Sequence, residues 1–269
     1  MNKDLNLFNY LYWDDVRNKI LNDNKELLEQ STDLLAYVED DFLELLNEVL
    51  DESKIENRVN QAVFILFAQA VKSVKSSLML CVEGYLTNSI MCIRNCLETI
   101  FNIKYIVGDR SKSLNRANKY LTKPKYWTND SVKNRAYMEL DRPLYEVYSI
   151  FSNYTHSNLM GAGQNLSEGS SVSTLPSPEK CSDLINIINS LFYSLIKLIS
   201  EFYNIDNQKF NSIQLSENSI QMLEMFDAER DMLKKIMGYF KDMGIPNEDI
   251  EKIIKGYKQH SINQKNKKK

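Results

Sequence analysis

A chain of 269 residues, 43% hydrophobic and 26% charged, has the composition of a folded globular protein and the length to bury a substantial core. Its formal charge of −3 excludes a strongly basic or acidic character overall, so net charge alone points to no partner. Eight glycines and five prolines are few for this length, and long stretches without turn punctuation argue for an all-α chain.

Residues 4–52 read as two amphipathic helices with a break at 22–25. Leu34, Leu35, Val38, Phe42, Leu45, Leu46 and Val49 recur at the i, i+3, i+4 spacing of one buried helical face. Glu39, Asp40, Asp41, Glu44 and Glu48 predict a solvated opposite face. The N-terminal residues MNKDLNLFNYLYWDD lack the apolar core of a signal peptide. The closest approach to a membrane span, residues 62–82, is interrupted by Lys72 and Lys75. These features predict a cytoplasmic protein with no membrane partner.

From 56 to 107 there is no proline and one glycine, Gly84. Glycine costs about 1 kcal/mol relative to alanine inside a helix, so the stretch is expected to be two helices joined at Glu83-Gly84-Tyr85. Gly108 is placed to end the second as a C-cap. Within residues 76–103 only Glu83, Arg94 and Glu98 are charged. At 100° per residue, Arg94 falls about 20° from Glu83 and Glu98 about 60° from it. That puts all three charges on one side with Met79, Leu80, Ile90, Leu97 and Phe101. Charges on an apolar face are costly to bury unless they satisfy one another. Arg94 and Glu98, spaced i, i+4, can pair within one helix; that pair either fixes helix packing or holds an anionic group such as a phosphate.

Residues 110–135 change character. Eight basic residues accompany one acidic residue, a local charge of +7. Arg110, Lys112, Arg116, Lys119, Lys123 and Lys125 are interleaved with Tyr120, Tyr126 and Trp127, which suits phosphate neutralisation and base stacking on single-stranded nucleic acid. An ordinary exposed basic connector has the same composition. Helical pattern resumes over 144–160 through Leu144, Val147, Tyr148 and Phe151 and carries His156, one of two histidines. His156 is either a helix-terminal cap or a general acid–base near pH 7.

Residues 161–180 hold three glycines and two prolines and are expected to form a mobile loop. A core helix is predicted over 179–203, where apolar residues wrap most of the way round. Further helices are predicted over 216–243 and 248–257, ahead of a basic tail expected to be disordered. Cys81, Cys92 and Cys96 share the apolar stretch, and neither CxxC spacing nor clustered histidine accompanies them; buried thiols rather than a metal site are expected, and no cofactor is implied. Phosphate-cradling glycine motifs and a serine nucleophile elbow are absent from the sequence.

The run EGYLTNSIMCIRNCLETIFNIKYIVGD followed by YSIFSNYTHSN resembles an uncharacterised bacterial helical family with an R-x-x-x-E … S-x-x-x-H signature, here Gly84, Arg94, Glu98, Ser152 and His156. The resemblance covers roughly residues 60–160. More distantly the chain resembles HEPN domains, many of them metal-independent ribonucleases of toxin and phage-defence systems. Their motif is Arg, a polar residue, then a nearby His. Arg94-Asn95 matches its opening, and the next histidine is His156, which would have to come from a neighbouring helix. The resemblance implies Arg94, Glu98 and His156 as catalytic residues, RNA as partner and a homodimer. The organisation expected is N-terminal helices (1–56) packed on a bundle, a core helical domain (57–205) around a central buried helix, and a C-terminal helical extension with a basic tail (206–269).

Overall fold

A computed structural model of the chain describes residues 4–52, 57–122, 145, 148, 151, 152, 181–206 and 208–224. Among these residues there is no strand, and eight α-helices are bounded at both ends: α1 (Asp4–Asp23), α2 (Lys25–Tyr37), α3 (Leu43–Glu52), α4 (Asn57–Val82), α5 (Leu86–Val107), α6 (Arg110–Thr122), α7 (Cys181–Tyr203) and the short α8 (Gln208–Asn211). The fold is an all-α bundle. The predicted loop at 161–180, most of the helix at 216–243, the helix at 248–257 and the tail lie outside the described residues.

The interior is built on the hairpin of α4 and α5. Gly84 takes a left-handed φ of 78°. The Tyr85 N–H reaches back to the Leu80 carbonyl (2.8 Å) and the Gly84 N–H to the Cys81 carbonyl (2.9 Å). This crossed pair of bonds satisfies carbonyls that a helix end would otherwise orphan, and it requires the left-handed residue that glycine supplies without a Cβ penalty. The predicted join at residues 83–85 is therefore a turn with a definite geometry. Gly108 also ends its helix, but in right-handed conformation (φ −66°), so its special freedom is unused. The chain turns there because Asp109 starts a new helix.

Beyond the elbow, Ser77 and Ser89 face each other with no exposed surface. Each hydroxyl lies within hydrogen-bond reach of the other's backbone carbonyl (3.0 and 2.8 Å), and the two oxygens are 2.7 Å apart. Such bonding requires two backbones to approach closely, which these small side chains permit. Ala70 on α4 and Cys96 on α5 continue the buried small-residue surface.

The other helices pack against this pair. The α7 helix contributes Ile185, Ile188, Phe192, Leu195, Ile196 and Ile199 to the core, and its Tyr203 hydroxyl meets Asn60 Oδ1 of α4 (3.1 Å). The α7–α2 seam is polar and satisfied: Ser31 donates to Asn189 Oδ1 (2.6 Å), and Asn189 Nδ2 donates to the Leu27 carbonyl (3.0 Å). The predicted break at 22–25 falls on Asn24, whose buried amide donates to the Ile20 carbonyl and accepts from Ser182 Oγ (2.6 Å). Asn204, with φ 54°, closes α7, and the Ile205 N–H returns to the Ser200 carbonyl. Ser216 then caps a helical stretch over 217–224 by accepting the Ser219 N–H (3.1 Å).

Between α2 and α3 the helix does not stop but widens into one π-helical turn, Val38–Phe42. Val38 and Phe42 are fully buried, with Phe42 edge-on to Phe67 of α4 (5.4 Å). Glu39 pairs with Lys75 and Asp41 with Lys209. Two members of the acidic run expected to face solvent are thus tied to neighbouring elements. By length and composition alone, α4 and α7 are each apolar enough to cross a membrane, Lys72 and Lys75 notwithstanding. In this fold their buried faces supply much of the interior.

Replacing Gly84 with alanine forces a Cβ into left-handed backbone. That costs about 1–2 kcal/mol, which for a chain of this size corresponds to a melting temperature roughly 2–8 °C lower. An unchanged melting temperature in calorimetry would show that the elbow is not left-handed.

Candidate functional site

Arg94 and Glu98 lie one turn apart on α5, the helix at the centre of the bundle. Nη2 of Arg94 is 3.5 Å from Oε1 of Glu98, with side chains 29% and 34% exposed. A third residue joins them. The Tyr148 hydroxyl donates to Glu98 Oε1 (2.8 Å) and accepts from Arg94 Nη2 (3.3 Å). The guanidinium also lies over the Tyr148 ring, 5.4 Å from its centroid. That ring packs edge-on against buried Phe101 (6.2 Å, 77°), one turn further along α5. Tyr148 is thus fixed by Phe101, and its hydroxyl in turn fixes the carboxylate and guanidinium. The sequence reading placed Tyr148 only in an apolar pattern. The signal that could have found it is general: a phenol half-buried on a core face needs a polar partner for its hydroxyl.

Glu83 does not belong to this cluster. Its carboxylate pairs with Arg17 Nε of α1 at 2.9 Å. The angular reading that aligned Glu83 with Arg94 assumed a continuous helix, and the left-handed residue at Gly84 breaks that phase. Met79, assigned to the same apolar side, is 71% exposed for the same reason, whereas Ile90, Leu97 and Phe101 of α5 are buried. His156 lies outside the described residues.

Of the proposed basic interface, Arg110, Lys112, Arg116 and Lys119 lie on α6; Lys123, Lys125 and Trp127 are outside the described residues. Arg116 and Lys112 have structural engagements. Arg116 donates to the Tyr105 carbonyl and stacks on the Tyr105 ring (4.0 Å), holding α6 against α5. Lys112 meets Asp109 Oδ2 (2.6 Å), while Asp109 Oδ1 accepts the Ser111 N–H (3.1 Å) and hydroxyl (2.6 Å) as the helix cap. The bonds from Lys112 and Ser111 pull the Asp109 carboxyl down to about 2, below its ordinary 3.8. A depressed carboxyl stabilises the fold above its unfolded value, and that contribution disappears as pH falls through about 2. Arg110 is exposed.

A cavity of about 620 Å³ opens elsewhere, between α2, the π-helical turn and α8. Glu26, Glu29, Asp33, Asp40 and Asp41 line it, with Lys209 already paired to Asp41. Burial and the Asp41 charge push the Tyr37 hydroxyl at its wall up to about 12. Five carboxylates repel phosphate, so this cavity does not suit the anionic ligand that Arg94 suits. Among the described residues no group of three or more His, Cys, Asp or Glu is arranged to hold a metal ion.

Compared with known protein families, with curated proteins and with solved structures, the chain matches none.

The geometry assigns the Tyr148 hydroxyl to both Glu98 and Arg94. A double-mutant cycle of Tyr148→Phe against Glu98→Ala, read by denaturant unfolding, is expected to give a coupling of about 0.5–1 kcal/mol, at the low end for a charged hydrogen bond because the group is partly solvated. Additive single effects would contradict the bond.

Proposed function

We propose that this chain is a cytoplasmic, HEPN-like helical protein of the toxin or phage-defence kind that acts on RNA as a homodimer, with Arg94 as its phosphate-binding group. The observation that carries this reading is the state of Arg94. It sits on the central helix, is oriented by Glu98 and Tyr148, and keeps 29% of its side chain open to solvent. A guanidinium held in one orientation is pre-organised for the planar, two-point recognition of phosphate oxygens.

In this reading Arg94 neutralises charge developing on the scissile phosphate, and Glu98 and Tyr148 keep it aimed. His156 moves the proton: as base it takes it from the attacking ribose hydroxyl, or as acid it gives it to the departing oxygen. The exposed Arg110, on the helix that follows α5, supports docking of the RNA backbone, as would Lys123, Lys125 and Trp127. No metal enters the scheme.

A second reading is favoured by the same ion pair. Since Glu98 already balances Arg94, the cluster also suits a non-enzymatic module that binds a protein partner or a small anionic ligand.

Induction of the wild type in a bacterial host is expected to arrest growth and fragment RNA, whereas Arg94→Ala and His156→Ala variants of equal abundance should do neither. Intact RNA with the wild type, or equal toxicity of all three, overturns the nuclease reading. Intact RNA throughout, together with a lower melting temperature for Arg94→Ala, supports the non-enzymatic one.

A further inference from the structure

Two cysteines one hundred residues apart in sequence meet where α4 ends and α7 begins. Cys81 Sγ lies 3.9 Å from the Cys181 carbonyl, and Cys181 Sγ lies 3.5 Å from the Cys81 carbonyl. Each sulfur is thus against the other residue's backbone, and both residues are fully buried. We propose that Cys81 and Cys181 form a latent dithiol that closes to a disulfide, a modification site joining the end of α4 to the start of α7.

Reciprocal contact of each sulfur with the opposite backbone is what a short Cα–Cα separation produces, and a disulfide needs about 4.4–6.8 Å between those atoms. The remaining thiols do not compete. Cys92 and Cys96 are spaced i, i+4 on one helix, where Cβ atoms stand roughly 5–6 Å apart, beyond the ~3.5–4.5 Å of a disulfide.

The packed dithiol protects itself. The hydrogen bond to the Cys181 thiol, with burial, pushes the Cys81 thiol far above its ordinary value, so thiolate is scarce. Reaction therefore passes through local opening of the first turn of α7 away from the end of α4, since helix termini fray before helix interiors. In the open form one thiol loses its proton, and the thiolate attacks a sulfur of a low-molecular-weight disulfide such as oxidised glutathione, expelling one glutathione thiolate. The second cysteine, deprotonated in turn, attacks the protein sulfur of the mixed disulfide and expels the other. Two protein S–H bonds and one glutathione S–S bond become one protein S–S bond and two glutathione thiols.

The cross-link clamps α7 to the last turn of α4, immediately before the Gly84 elbow from which α5 and Arg94 follow. It also closes a loop of about one hundred residues in the unfolded chain, which raises stability.

The full-length reduced protein is incubated with oxidised glutathione at neutral pH, its free thiols are alkylated, and unreduced peptides are read by mass spectrometry. The expected result is loss of two hydrogens, a linked Cys81–Cys181 peptide pair, and a melting temperature higher by roughly 5–15 °C that dithiothreitol reverses. Cys181→Ala should abolish the cross-link, and Cys92→Ala/Cys96→Ala should keep it. Full alkylation of all four cysteines, a glutathione adduct that never resolves, or a cross-link through Cys92 or Cys96 overturns the proposal; the linked pair in the Cys92→Ala/Cys96→Ala protein supports it even if Cys181→Ala does not fold.

Discussion

Two serine hydroxyls, each against the opposite helix's carbonyl, hold α4 and α5 at the short separation on which the rest of the bundle is built. Ser77 and Ser89 are fully buried, and their hydroxyls are satisfied only while the two helices remain this close. Separation would strand buried polar groups, at about 1–3 kcal/mol each. The Gly84 elbow brings the serines together by reversing the chain within three residues. Close packing on this side has a consequence on the other: α5 becomes the central helix, and its remaining face presents Arg94 and Glu98 toward Tyr148.

Polar groups in this molecule are handled by pairing between elements. The α2–α7 seam uses serine and asparagine, the π-helical turn uses Glu39 with Lys75 and Asp41 with Lys209, and α6 uses Arg116 on the Tyr105 carbonyl and ring. The exposed pairs add little stability each, since solvent screens them. The buried neutral ones matter for specificity, because a shifted helix would leave them without partners. The Arg94–Glu98–Tyr148 cluster lies between these cases, partly covered, with Arg94 Nη2 held by the Tyr148 hydroxyl and the Glu98 carboxylate, so it has an orientation without being sealed.

What the sequence made legible follows from range. Local signals sufficed for the breaks at Asn24 and Gly84, for the helical character of α5 and α7, and for the i, i+4 pairing of Arg94 with Glu98. Each depends on residues within one or two turns. Partners distant in sequence were not legible: Glu83 finds Arg17, Glu39 finds Lys75, and Cys81 finds Cys181, pairings set by packing alone. The π-helical turn was invisible too, because widening by one residue leaves the apolar spacing of Val38 and Phe42 compatible with an ordinary helix. Gly108 shows the converse, a residue placed where a left-handed cap would be expected but held right-handed by the helix that Asp109 begins.

If the Ser77–Ser89 contact is the constraint on which the bundle depends, the α4–α5 hairpin should be its slowest part to open. Native-state hydrogen exchange resolved by residue measures this directly. The account predicts that amides flanking Ser77 and Ser89 exchange only through global unfolding, as slowly as the most protected amides of α7. Exchange around Ser77 and Ser89 well ahead of α7 would contradict it.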